Sequence, residues 1–83
     1  MVKVSEIQSD QVLDVTGLNC PLPVLRLKQV LKSMSEGEVV HMVATDKSTA
    51  HDIPSFCRQT GHELLNSSLM SGGLYLFWIK KLD

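Results

Sequence analysis

Residues 16–23, with the sequence TGLNCPLP, decide how this chain folds. A short alternation of apolar and polar side chains precedes them at residues 11–16, and an apolar pattern of helical period follows at residues 24–34. The alternation predicts a half-buried strand, and the following pattern predicts an amphipathic helix. Cys20 is therefore expected where a strand ends and a helix begins.

Two prolines mark the start of that helix. Pro21 is expected at the first helical position and Pro23 within the first turn, where a missing N–H breaks no helical hydrogen bond. Gly17 and Asn19 belong to the turn that delivers Cys20. This arrangement places the Cys20 sulfur at the positive end of the helix dipole, among free N–H groups. It therefore predicts a lowered thiol pKa and a nucleophilic thiolate.

The rest of the chain predicts a second helix and three more strands. Their expected positions are strands at residues 39–45, 62–70 and 74–79 and a helix at residues 48–61. Pro54 is expected to kink or restart the second helix because it cannot donate to the preceding turn, and Gly61 is expected to end it. The third strand has a polar middle at residues 66–68, which predicts a bulge, and residues 71–73 predict a hairpin turn.

The order β-α-β-α-β-β predicts an α/β two-layer sandwich, a four-stranded mixed sheet with two helices on one face. The last strand is apolar on both sides, so one set of its side chains must face away from the helices. On that open face Leu76 and Trp78 are either half-buried strand residues or an exposed docking surface. We expect residues 1–10 to be a flexible lead-in and residues 11–83 to form a single domain.

Composition excludes several classes of protein. The chain has 83 residues and a formal net charge of -1, which gives no reason to expect strong nucleic-acid binding or direct membrane binding. The first ten residues lack the apolar segment of a secretory signal, and no apolar run approaches the ~20 residues of a membrane span. Two cysteines are too few for a disulfide scaffold. We expect a cytoplasmic protein with free thiols.

Cys20 is the candidate reactive group, although a small buried residue at a tight turn is the alternative interpretation. The two prolines and the polar Asn19 favour the reactive interpretation. Cys57 lies on the apolar side of the second helix beside Phe56, which favours core packing. The chain has no C-x-x-C and no H-x-x-x-H, so no metal site is predicted. A thioredoxin-type pair would need a second cysteine at position 23, which is proline.

Residues 13–23, LDVTGLNCPLP, resemble the signature of the TusA (SirA-like) sulfur-carrier family, whose C-P-x-P motif follows a strand and precedes the first helix. The resemblance continues at residues 37–38, 45–46, 52–57 and 61–64. It covers residues 13–81, nearly the whole chain.

The resemblance implies a small cytoplasmic sulfurtransferase that acts as a persulfide carrier with partner enzymes. Cys20 would accept sulfane sulfur from a cysteine desulfurase or another sulfurtransferase and pass it to a downstream relay protein. Gly17, Asn19, Pro21 and Pro23 would position the motif. The sulfur would be carried covalently, so we expect no cofactor and no metal, and we expect a monomer. Family members serve transfer RNA thiolation, cofactor synthesis or sulfur metabolism, and the motif does not separate these routes.

Four charged residues are candidate partner contacts: Arg26, Lys28, Asp46 and Asp52. The two basic residues form either a solvated helix face or a rim for an acidic partner, and the two acids match positions of the family pattern. Two other classes of function stay open at this point. One is a non-enzymatic regulatory or interaction module, and the other is a thiol redox protein that uses Cys20 and Cys57.

Overall fold

Four strands and two helices follow one another in the predicted order β-α-β-α-β-β. The computed structural model describes residues 8–82. Residues 1–7 of the expected lead-in therefore lie outside the described residues. The elements are β1 (Gln11–Val15), α1 (Leu22–Ser33), β2 (Val39–Ala44), α2 (Thr49–Thr60), β3 (Glu63–Met70) and β4 (Leu74–Lys80). Asp10 already contacts the sheet, because its N–H donates to Val39 O at 2.7 Å.

The strands form one mixed sheet in the order β1-β2-β4-β3. β1 and β2 are parallel because α1 carries the chain back across the sheet between them, whereas β4 is antiparallel to both β2 and β3. The register shift between Leu64 and Asn66 confirms the predicted irregularity of the third strand. Val15 pairs with Ala44 where β1 and β2 end. The loops that leave these two strands therefore start side by side.

Both helices lie on one face of the sheet, which confirms the predicted two-layer sandwich. The apolar stripe of α1 is buried at Leu27, Leu31 and Met34, and α2 contributes Ile53 and Phe56 to the same core. These side chains pack against the sheet residues Val15, Val40, Met42, Ala44, Phe77 and Ile79. Neither helix within residues 8–82 has the length and apolar content needed to cross a membrane.

The expected restart at Pro54 is wrong, because α2 is one continuous helix through that residue. A proline in a helix interior removes one backbone hydrogen bond and costs about 3 kcal/mol. Ile53 and Phe56 are buried on either side of it, and full burial of each such side chain contributes about 1.5–3 kcal/mol. Tertiary packing therefore outweighs the local penalty. Gly61 ends the helix as predicted, with a φ of 85° in the left-handed region that favours glycine.

The open face of the sheet carries a second, smaller cluster. Trp78 and Leu76 are only 4% and 9% exposed and pack with Val39. The Trp78 ring stacks on His41 with 4.3 Å between the ring centroids. The sequence left Leu76 and Trp78 as either half-buried strand residues or an exposed docking surface. Both are more buried than that, so they do not form an exposed docking surface.

Lys81 joins the end of the sheet to the end of α1. Its Nζ donates hydrogen bonds to Leu31 O at 2.6 Å and to Met34 O at 2.8 Å. Leu31 lies in the last turn of α1 and Met34 is its C-cap, where the helix dipole favours a cation. Leu31 O also accepts the Met34 N–H at 3.2 Å, so Lys81 is its second donor. The contact joins residues 47 and 50 positions apart in the chain.

We expect Lys81→Ala to lower the free energy of unfolding by about 1–3 kcal/mol, because it leaves two half-buried carbonyls without their charged donor. Urea unfolding followed by circular dichroism measures this change. Lys80→Ala is the matched control, since it removes the same charge from a side chain that makes no hydrogen bond with residues 8–82. Equal losses in the two variants would contradict a specific role for the Lys81 bonds.

Candidate functional site

Cys20 lies in the loop after β1, and a second loop, after β2, holds it in place. The Gly17 N–H donates to Thr45 Oγ1 at 2.8 Å, and the Cys20 N–H donates to Asp46 Oδ2 at 2.7 Å. Gly17 has a φ of 80°, a backbone conformation that side chains with a Cβ rarely adopt. The predicted turn at Gly17 is therefore present, and it presents its backbone to the neighbouring loop.

Asp46 also organises the start of α2. Its Oδ1 accepts a hydrogen bond from the Ser48 N–H at 3.1 Å, and its carbonyl accepts one from Thr49 Oγ1 at 2.6 Å. The hydrogen bonds from the N–H groups of Ser48 and Cys20 lower the pKa of Asp46 from its ordinary value of 3.8. Asp46 was predicted as a partner contact, but its carboxylate is already engaged within the chain. These bonds fix Cys20 relative to the start of α2.

The helix that follows Cys20 begins one residue later than predicted, with Pro21 as its N-cap and Leu22 as its first residue. The Leu22 N–H donates to Asn19 O at 2.9 Å, so Asn19 contributes to the site through its backbone carbonyl. Pro21 and Pro23 have no N–H to offer. The helix start therefore presents few free donors to the Cys20 sulfur, although the sequence predicted several.

The pKa of the Cys20 thiol is raised above its ordinary value, so the predicted lowering is wrong. The largest cause is a hydrogen bond from the thiol to the Asp52 carboxylate. Partial desolvation and the negative charges of Asp52 and Asp46 act in the same direction. Sequence reasoning missed this effect because both acids lie far along the chain, and only the folded structure brings them to Cys20.

A groove of about 330 Å³ between α1 and α2 begins at Cys20. Pro21 and Lys28 line it from the side of α1, and Asp52 and Phe56 line it from α2. The fold therefore unites two of the four predicted contact residues, Lys28 and Asp52, with the reactive cysteine. Arg26 is exposed on α1 and does not line this groove.

An adjoining groove of about 430 Å³ shares Lys28 and Phe56 with the first and extends toward Lys32 and Lys81. It is larger, but no cysteine lines it. The groove at Cys20 is therefore the candidate functional site.

The two cysteines have opposite surroundings. Both are free thiols, but Cys20 is exposed and Cys57 is 4% exposed within the core. Burial raises the pKa of Cys57 to about 11, which suppresses its thiolate. The interpretation of Cys57 as a packing residue is confirmed. Within residues 8–82, no three His, Cys, Asp or Glu side chains come together in a group that could hold a metal ion.

Comparison with known proteins agrees with the resemblance seen in the sequence. The family described as "Sulfurtransferase TusA" matches residues 11–81. The "Sulfur carrier protein TusA" of Allochromatium vinosum is 51% identical over 72 residues, which is 87% of this chain and 93% of the relative. The protein of the same name from Pseudomonas putida strain GB-1 is 45% identical over 78 residues, or 94% of this chain and 96% of the relative.

A crystal structure supports the same fold. The SirA-like protein of Desulfitobacterium hafniense superimposes with a TM-score of 0.77 and covers 88% of this chain and 99% of its own. Its sequence identity of 22% makes it evidence for the fold alone. The match over residues 11–81 and the relatives at 45% and 51% identity show that this chain belongs to the Sulfurtransferase TusA family.

Proposed function

We propose that this protein is a sulfur carrier that accepts sulfane sulfur as a persulfide on Cys20 and transfers it to an acceptor protein. The observation that carries the proposal is the exposed Cys20 thiol at the end of a groove, fixed through its backbone N–H by Asp46. Relatives that align with nearly the whole chain are named sulfur carrier proteins, which supports the same role here.

The chemistry requires a sulfur atom that another protein can reach. The Cys20 sulfur attacks the outer sulfur of a donor persulfide, and the donor's own cysteine leaves as a thiol. The same exchange then takes place with the Cys20 persulfide as the donor. A thiol of the acceptor attacks its outer sulfur, and Cys20 leaves as a thiol. The sulfur is held covalently, so the proposal needs no cofactor. The chain supplies the nucleophile and its surroundings, while the partners supply the rest of the catalysis.

The donor in this proposal is a cysteine desulfurase or another sulfurtransferase, and the acceptor is a downstream protein of a sulfur relay. We place the exchange in the cytoplasm, where thiols stay reduced. The acceptor determines whether the sulfur serves transfer RNA thiolation, cofactor synthesis or sulfur metabolism.

The surface beside Cys20 is suited to a protein partner. Lys28 lines the groove, and Arg26 is exposed on the same helix. Leu22 and Leu25, in the first turn of α1, are 45% and 44% exposed. We propose these four residues as the contact surface, with the two cations facing an acidic region of the partner.

Two alternatives fit the structure less well. In an interaction module Cys20 would be packed and inert, but this residue is exposed. A redox pair would need Cys57, whose thiol is buried in the core and has a pKa of about 11. Its partner sulfur would have to enter the packed interface between α2 and the sheet.

We expect wild-type protein to gain sulfur when it is incubated with a cysteine desulfurase, its cofactor and cysteine, because Cys20 is reachable by the donor persulfide. Intact mass spectrometry measures the gain, which reductant should remove. Cys20→Ser should gain no sulfur, and Cys57→Ser is the matched control that should load normally. Equal loading of Cys20→Ser and wild type would show that Cys20 is not the carrier residue.

The two thiols should differ in reactivity in the folded protein. We expect iodoacetamide at pH 8 to modify Cys20 at least about tenfold faster than Cys57, since Cys57 is buried and its pKa is about 11. Peptide mass spectrometry after timed quenching gives both rates, and the same reaction in urea should abolish the difference. Similar modification rates of Cys20 and Cys57 in the folded protein would favour the thiol redox function over the sulfur carrier.

A further inference from the structure

We infer that Asp52 is a catalytic residue of the sulfur-transfer site, whose carboxylate lines the groove with Cys20 and takes the thiol proton during sulfur transfer. The inference deepens the proposed function and rests on it, because it assigns the protonation of the proposed sulfur-accepting atom to one neighbouring side chain. Asp52 was predicted only as a contact for a partner.

The fold aims Asp52 at Cys20. Asp52 lies in the first turn of α2, and Cys20 lies just before α1, with both side chains lining the groove between the two helices. Phe56 and Gln59 follow Asp52 at helical positions i+4 and i+7 and line the same groove. The side of α2 that bears Asp52 is therefore the side that faces the reactive cysteine.

The orientation of α2 is fixed on two sides. Ile53, the next residue, is fully buried in the core, so rotation of the helix about its axis is blocked. Asp46 bonds both the Cys20 N–H and the Ser48 N–H, which sets the start of α2 against the cysteine loop.

The Asp52 carboxylate has little competition for the thiol hydrogen. Its side chain is 30% exposed, and its contact with His51 Nδ1 is long, at 3.4 Å, with a histidine ring that is 83% exposed. A contact of that length and exposure is weak in water. The Cys20 thiol can therefore compete with His51 for the Asp52 carboxylate.

The charges around the Cys20 sulfur are mixed but mainly negative. Asp52 and Asp46 both raise its pKa, and Lys28 is the cation that lines the groove from α1. His51 contacts Asp52 and does not line the groove. If the Asp52 charge is removed, the negative charge of Asp46 and the positive charge of Lys28 remain and act on the Cys20 sulfur in opposite directions. The thiolate therefore becomes easier to form.

The hydrogen bond fits the transfer step. The Cys20 sulfur forms a bond to the outer sulfur of the donor persulfide, the S–S bond of the donor breaks, and its electron pair leaves on the inner sulfur. The proton from Cys20 passes by way of the Asp52 carboxylate to that leaving sulfur. A persulfide and a thiol become a thiol and a persulfide, so no oxidant or reductant is consumed. Without a donor, the S–H form limits reaction with other electrophiles.

The test is the pH profile of iodoacetamide modification of Cys20 in the unloaded protein. We expect the midpoint in Asp52→Asn to move to lower pH and the rate at pH 7 to rise about threefold or more, because more of the thiol is ionised. Asp52→Glu, which keeps the carboxylate, should return the midpoint toward wild type. Glu36→Gln is the matched control, since it removes an exposed charge beyond the C-terminal end of α1, a helix about 18 Å long that starts beside Cys20.

An Asp52→Asn midpoint equal to that of wild type would overturn the inference. If that variant does not fold by circular dichroism, Asp52→Ser replaces it and must show the same downward shift. Alkylation needs no sulfur donor, so the result is separate from the loading assay. Normal loading of wild type with an unchanged midpoint would overturn the role of Asp52 and leave the carrier function standing. Absent loading with a shifted midpoint would overturn the carrier function and leave the Asp52–Cys20 contact confirmed.

Discussion

The site depends on one carboxylate that joins two loops. Parallel pairing of β1 and β2 starts both loops at the same edge of the sheet, and Asp46 then binds the backbone of Cys20 with one oxygen and that of Ser48 with the other. Its lowered pKa means that the stabilisation is present above the ordinary value of 3.8 and is lost as the pH falls through the lower folded value. At neutral pH the cysteine loop and the start of α2 therefore move as one unit.

Two electrostatic effects compete at Cys20, and their sizes explain which one prevails. A helix start carries the equivalent of about half a positive charge, delivered through its free N–H groups. Here Pro21 and Pro23 have no N–H, and the Leu22 N–H is used by Asn19. Asp46 and Asp52 each contribute a full negative charge, and both raise the pKa of the Cys20 thiol. The acids therefore outweigh the dipole, and the thiol form is favoured in the free protein.

The sequence was sufficient for features that depend on neighbouring residues. The apolar stripe of α1, the left-handed stop at Gly61 and the placement of Cys20 between a strand and a helix each follow from local spacing or backbone preference. Features that depend on distant residues were missed. Lys81 caps a helix that ends nearly fifty positions earlier, Pro54 is tolerated because the core holds α2, and Asp52 meets Cys20 only in the folded chain. No local pattern encodes such contacts.

The two cysteines show why a raised pKa has different consequences in different places. Desolvation raises the pKa of Cys57, and that cause can be removed only by opening the core. The pKa of Cys20 is raised mainly by a hydrogen bond to a carboxylate that is 30% exposed. A docked protein can exchange such a bond without disturbing the fold, because one side of the carboxylate already faces solvent. Of the two thiols, only Cys20 has a reactivity that a binding partner is able to change.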